Sequence, residues 1–217
     1  MTEDLINIFK NGWYSNKRPK NGVHHWRSLS FCGDGSEGVW AAWYSQQLEL
    51  VVKHYDIKTV ADIGCGDLNL GGTLLPFVDK YYGYDLIDWG EKWNIVRENW
   101  GHKVKLVSNF DITKDICEEV DLIVCNNVFI HYPNRDILKC LDNISKSNSK
   151  MFYAVEHNEH HDNNSRDESP PSIRGHGPIN LSSEPFNLKR AVIPTNNPIF
   201  LSNNKIRLQD IKVWRLH

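Results

Sequence analysis

Residues 59–67 read Thr-Val-Ala-Asp-Ile-Gly-Cys-Gly-Asp, an apolar run that ends in a Gly-x-Gly turn with a carboxylate on either side. Glycines at such a turn let the backbone bend tightly and approach a ligand closely. A turn of this kind, at the carboxyl end of the first strand of a parallel α/β sheet, is where nucleotide-like ligands sit. Asp62 and Asp67 set the charge of the place: they repel a pyrophosphate and suit amino or ammonium groups. The dinucleotide fingerprint needs a third glycine, but Gly66 is followed by Asp67-Leu68-Asn69, and no Gly-Lys-Ser/Thr makes a Walker loop. Two further acids follow in order. Asp85 comes 19 residues after Gly66, the separation at which an acid hydrogen-bonds a ribose diol. Asp111, in Asn109-Phe110-Asp111-Ile112, is placed to accept from an adenine amino group.

These residues need elements to hold them. Trp40, Trp43, Tyr44, Gln47, Leu48, Val51 and Val52 recur at three- and four-residue steps, which predicts a helix over about 37–54, with Ser36 as its N-cap. An alternation follows. Strands are expected at 59–63, 81–85, 103–107, 121–125 and 150–155, and helices at about 70–78, 90–100 and 134–146. Regular β-α alternation means a mostly parallel sheet with helices on both faces. After Glu156 the pattern stops. Residues 157–190 are rich in His, Asn, Ser and Pro and show no helix, and short strands are expected near 190–193 and 208–214. No linker separates two cores, so residues 1–217 are expected to form a single domain.

A ribose, an adenine, an ammonium group and no phosphate together describe S-adenosylmethionine. Over about residues 37–156 the chain resembles the class I S-adenosylmethionine-dependent methyltransferases. Asp62-Ile-Gly-Cys-Gly-Asp67 resembles their first motif, Tyr84-Asp85 their second, Asp111-Ile112 their adenine motif, and Asp121-Leu-Ile-Val-Cys-Asn-Asn-Val-Phe-Ile-His131 their fourth strand and the loop after it. The resemblance implies a Rossmann-like α/β fold. It also implies cofactor contacts from Asp62, Gly64, Cys65, Gly66, Asp67, Asn69, Asp85, Leu86, Asp111, Ile112, Asn126 and Asn127. A narrower resemblance reaches both ends of the chain. Ser28-Leu-Ser-Phe-Cys-Gly-Asp-Gly-Ser36, Asp67-Leu68-Asn69, Ile179-Asn-Leu-Ser-Ser-Glu-Pro-Phe-Asn-Leu188 and Val213-Trp-Arg-Leu216 are similar to segments of bacterial methyltransferases met among polysaccharide and surface-glycan functions. Phe31, Cys32 and Leu68 depart from that pattern. It implies that Gly35 and Ser36 touch the cofactor, that 1–36 forms a lid over it, that 157–190 is an irregular loop on the acceptor side, and that the acceptor is a small molecule or a glycan, with a phosphate-bearing one included.

Methyl transfer from a sulfonium is an in-line displacement, so the protein mainly aligns the acceptor. A hydroxyl acceptor also needs a base. His131, just past the fourth strand, has a side chain suited to proton transfer near neutrality; its other reading is a histidine that bonds backbone and caps the next helix. Asp67 is the second catalytic candidate, with Asn69 beside it, although Asn69 also reads as the cap of the helix after the turn. Asn126 and Asn127 suit cofactor or acceptor contacts, or serve as turn formers. His157, His160, His161 and Asp162 form a cluster with spacing a metal could use, but the loop around them is solvated and Asn-rich, and no metal is expected. Arg166, Arg174, His176, Lys189 and Arg190 make the late loop locally basic, suited to an anionic acceptor or simply scattered over the surface.

Composition narrows the classes. A formal net charge of −2 provides no field to gather nucleic acid, and nucleic acid is not the expected partner. No apolar run reaches the ~18 residues of a membrane span. Five cysteines without a C-x-x-C pair fit reduced, mostly buried thiols. With an acidic N-terminus, Met-Thr-Glu-Asp, that lacks a signal-peptide pattern, a cytoplasmic location is expected. Two other readings remain open at this stage: an RNA or tRNA methyltransferase, and a catalytically inactive regulatory protein that binds the same cofactor.

Overall fold

A computed structural model of the chain describes Cys32, Ser36 and residues 38–156, 163–164, 177–189, 191, 200–202, 205–207 and 210–216. The strands make a mostly parallel six-stranded sheet, with a separate two-stranded hairpin. The chain divides into two compact units, Met1–Asp111 and Ile112–His217.

In the first unit, α1 (Gly38–His54) buries Ala41, Tyr44, Leu48, Val51 and Val52, a stripe with the three-four spacing of one helix face. Strand β1 (Thr59–Ile63) is buried along nearly its whole length. It pairs in parallel with β2 (Lys80–Tyr84), which pairs in parallel with β3 (Val104–Val107). Helix α2 (Glu91–Trp100) turns Trp93 inward and leaves Ile95 exposed. Gly83 lies within β2, where a Cβ would stand 2.7 Å from Leu106 Cδ2 and 3.0 Å from Cys65 Sγ. The missing side chain is thus what lets β1's turn and β3 close on that strand.

The helix expected over 70–78 is absent. A single 3₁₀ turn, Gly71–Leu74, stands in its place. A Cβ on Gly71 would collide with the Asp62 carboxylate and the Tyr81 hydroxyl; the glycine is there for that approach. Pro76 then lacks the N–H that the next helical hydrogen bond needs. The second strand stops at Tyr84, so Asp85 stands in the loop just beyond it.

In the second unit, β4 (Leu122–Cys125) pairs in parallel with β5 (Met151–Glu156). Every residue of both strands is buried, as continuous apolar strands of a covered sheet are. Helix α3 (Asn134–Lys146) presents Ile137, Cys140 and Ile144 to the core. The chain closes with β8 (Asp210–Arg215), antiparallel to β5, its Trp214 ring stacked on Phe152 at 5.5 Å. Between them lies a hairpin of β6 (Phe200–Ser202) and β7 (Lys205–Arg207) that the sequence pattern did not announce. Of the strand expected near 190–193, Ala191 bridges Trp214, while the other residues lie outside the described ones.

Candidate functional site

The turn after β1 is held almost entirely by its own surroundings. Gly64 and Cys65 both donate their N–H groups to the Tyr84 carbonyl, at 2.7 and 3.1 Å. Gly66 N–H donates to Asp85 Oδ2 at 2.9 Å, and Asp67 N–H to Cys32 Sγ at 3.2 Å. Leu68 N–H donates to the Cys65 carbonyl at 3.2 Å, and Asn69 N–H to Asp67 Oδ1 at 3.2 Å. Every backbone N–H from Gly64 to Asn69 is therefore engaged inside the chain. A phosphate cradle needs several such groups free and convergent, so this turn is not one. Three of its residues, Gly64, Gly66 and Leu68, have positive φ; at Leu68 that conformation is uncommon for a side chain of its kind.

The predicted acids divide by depth. Asp62 is buried, and the Tyr81 hydroxyl donates to its Oδ2 at 2.5 Å. Burial pushes its carboxyl pKa up to about 7; the Tyr81 hydrogen bond opposes this and the nearby Asp85 charge adds to it. Asp85 is less enclosed. Burial raises its pKa, against the N–H groups of Ile87 and Gly66, which favour the anion. The nearby Trp89 indole also favours the Asp85 anion. Burial, then the charges of Asp62 and Asp85, push the Cys65 thiol well above its ordinary pKa, so Cys65 is no thiolate nucleophile.

Leu86 is half-buried beside Asp85. The Asp85 carbonyl accepts the Phe110 N–H at 3.0 Å, which brings Asp111, itself buried, next to the same loop. Asn69 caps no helix. Its Nδ2 donates to the Ser36 carbonyl at 2.5 Å. Gly35 lies outside the described residues, as do His157, His160, His161, Asp162, Arg166, Arg174, His176 and Arg190. Among the described residues no group of three His, Cys, Asp or Glu side chains could hold a metal ion. None of their helices is long and apolar enough to cross a membrane.

In the second unit, Ile112 is buried and its carbonyl accepts Asn143 Nδ2 at 2.8 Å. Asn126 and Asn127 follow β4, and the Oδ1 atom of each is buried without a donor. His131 ends a 3₁₀ turn, Phe129–His131. It does not cap α3, whose N-cap is Pro133 with no side-chain cap bond. The Gly177 N–H donates to the Ile130 carbonyl at 2.9 Å, which sets the 177–189 segment beside that turn. Asn163 secures the segment: its Nδ2 reaches the carbonyls of Asn180 and Glu184, both at 2.7 Å, and its Oδ1 accepts Asn180 N–H at 3.0 Å. Glu156 accepts from Ser182 N–H and lies 2.5 Å from Lys212 Nζ.

No protein-family model and no curated protein sequence matches the chain. Solved structures do. The magnesium protoporphyrin IX methyltransferase ChlM of Synechocystis PCC 6803, with bound S-adenosylmethionine, aligns with a TM-score of 0.58 at 16% identity, over 98% of this chain and 96% of that one. The N-methyltransferase NodS of Bradyrhizobium japonicum WM9, in complex with S-adenosyl-L-homocysteine, aligns with a TM-score of 0.57 at 16% identity, over 81% and 86%. The methyltransferase domain of bacterial CtHen1 aligns at 0.55 and 12% identity, over 81% and 99%. The fold is that of the class I methyltransferases.

On this methyltransferase fold, Asp85, Asp67, Asn69 and Ser36 are joined to the turn by hydrogen bonds, and Asp62 faces Tyr81. Several contributors were not visible in the sequence. Trp93, fully buried on α2, donates its Nε1–H to the Gly66 carbonyl at 2.9 Å. Cys32 seats its thiol on Asp67. Asn163 and Glu156 hold the late segment of the second unit. Trp93 and Cys32 act across 27 and 35 positions of sequence, and no local spacing rule reaches that far.

Proposed function

We propose that this protein is an S-adenosylmethionine-dependent methyltransferase, and that its acceptor is an oxygen of a small molecule or glycan. The carrying observation is the turn with no free N–H. A ligand that settles there is offered carboxylates rather than amides, which suits a cationic, phosphate-free adenosyl compound and disfavours a dinucleotide. In this reading Asp85 and Leu86 hold the ribose, Asp111 and Ile112 the adenine, and Asp67, Asn69 and the glycine turn the amino-acid end, with Asp62 supporting the turn from below. Gly35, Ser36, Asn126 and Asn127 complete the cofactor contacts. When bound, the sulfonium supplies an electrophilic methyl carbon. His131 takes the proton of an acceptor hydroxyl. Residues 1–36 and 157–190 are the cofactor lid and the acceptor-side loop of a single domain. The likeness of 28–36 and 179–188 to glycan-linked methyltransferases supports the acceptor class, and a cytoplasmic location fits it.

Calorimetry with S-adenosylhomocysteine, NAD and ADP tests the donor. Binding of the first alone is expected; tight NAD or ADP binding with no response to the first overturns the reading. For the base, His131→Ala is expected to abolish transfer of labelled methyl to a hydroxyl acceptor while leaving S-adenosylhomocysteine affinity within about twofold. Near-normal transfer removes His131 from that role.

A further inference from the structure

Gly66 is gripped from three directions by parts of the first unit that are far apart in sequence. Its N–H goes to Asp85 and its carbonyl receives the Trp93 indole. The space where a side chain would be is filled by the Cys32 thiol. The peptide unit joining Gly66 to Asp67 is thereby fixed at both polar ends, because the Asp67 N–H donates to the same Cys32 sulfur. That sulfur in turn donates to Asp67 Oδ1 at 3.6 Å, so the thiol orients the carboxylate as well as the amide. Trp93 is fully buried, and its indole N–H spends its only polar capacity on this carbonyl. The Arg97 guanidinium lies over its ring at 5.4 Å, on the same helix.

We propose that Trp93 and Cys32 are positioning residues for the adenosyl ligand: together they hold the Gly66–Asp67 peptide so that its amide is hidden and the Asp67 carboxylate is fixed in place. This rests on the cofactor reading above. Neither residue reacts. Asp67 N–H is the one amide of the turn whose acceptor comes from the segment before α1, so Cys32 decides whether that amide is available to an anion. Trp93 keeps the peptide from flipping, a motion that would turn its carbonyl toward the ligand.

The test measures S-adenosylhomocysteine and ADP affinity by calorimetry, with the melting temperature followed in parallel. Trp93→Phe keeps the ring and removes one hydrogen bond; a loss of about five- to tenfold in S-adenosylhomocysteine affinity is expected. Cys32→Ala is expected to lose a similar factor and to gain measurable ADP binding. Cys32→Ser, whose hydroxyl also donates and accepts, restores the wild-type pattern. Val78→Ala serves as a control for general loosening, since Val78 is buried in the same unit; its ligand affinity should stay unchanged at a comparable loss of melting temperature. In ¹⁵N-labelled protein the indole N–H resonance that Trp93→Phe removes should shift when S-adenosylhomocysteine is added. Unaltered affinity in both Trp93→Phe and Cys32→Ala overturns the proposal while leaving the cofactor reading intact. A wild-type protein that does not bind S-adenosylhomocysteine at all overturns both.

Discussion

The Gly64–Asn69 turn and the Asn126–His131 segment each follow a buried parallel strand, yet they are finished in different ways. In the turn, all six backbone N–H groups find acceptors within the chain. After β4, the side-chain carbonyls of Asn126 and Asn127 are enclosed with no donor. A buried acceptor left unmet costs about 1–3 kcal/mol. The first region is completed by hydrogen bonds among the described residues; the second leaves two side-chain acceptors unmet among them. Hydrogen bonding is thus complete in the turn after β1, while acceptor capacity is left over in the segment after β4.

The comparison breaks most severely at Gly71. Gly71→Ala drives a methyl group into the Asp62–Tyr81 hydrogen bond beneath the turn. A loss of more than about 4 kcal/mol is expected, seen as a collapse of the urea midpoint. A midpoint within 0.5 M of wild type (roughly 1 kcal/mol at a typical urea slope) shows that the floor of the turn is softer than described.

Next is the pH dependence set by Asp62. In the unfolded chain this carboxyl loses its proton near 3.8, whereas in the folded protein it keeps it until about 7. The unfolded state therefore binds fewer protons between those values, and stability contributed by this group falls as pH rises from about 4 to 7. The shift corresponds to a fall on the order of 3–4 kcal/mol. Asp62→Asn keeps an acceptor for Tyr81 and should flatten the decline, so that it matches wild type near pH 4 and exceeds it at pH 8 in denaturant titrations. Parallel pH profiles for the two proteins place the dependence elsewhere.

The parallel strands were legible because strands buried on both faces read as apolar runs, as Leu122–Cys125 does and as Val60–Ile63 does apart from Asp62. Helix α3 was expected over about 134–146, and its buried Ile137, Cys140 and Ile144 stand at helical steps. Over 70–78, where a helix was expected, Leu74, Leu75 and Val78 have a spacing that imitates a helical face. The contrary signals, Gly71-Gly72 and Pro76, were in the chain, but what gives Gly71 its meaning is a hydrogen bond between two strands that local pattern does not encode. Within the candidate site, the acids and glycines stand out by residue type and order alone. Trp93 was not, since an indole on a helix reads as packing until its N–H is seen to meet a carbonyl 27 residues away.

On the second region, Asn163→Ala removes the partners of the Asn180 N–H and of the Asn180 and Glu184 carbonyls. A loss of about 2 kcal/mol is expected, together with proteolytic cutting between 177 and 189 well below the global unfolding midpoint. Resistance to such cutting means that Glu156 and Lys212 suffice to hold the segment. The smallest effect sharpens the contrast. Asn126→Ala removes the cost of an unmet acceptor together with the packing of its side chain, two effects of opposite sign, so the stability of the ligand-free protein should move by less than about 0.5 kcal/mol, while methyl transfer falls at least tenfold. A large destabilisation by Asn126→Ala instead makes that side chain part of the scaffold.

The engaged amides of the turn have a consequence in time as well as in shape. Six consecutive N–H groups that all donate within the protein exchange with solvent deuterium only when the turn opens. Gly64, Cys65 and Gly66, anchored to the end of β2 and to Asp85, are therefore tied to the lifetime of the sheet. Asp67, anchored to a thiol from the segment before α1, is tied to the lifetime of that contact alone. Hydrogen exchange is therefore expected to separate the turn into two rates, a slower one at Gly64–Gly66 and a faster one at Asp67.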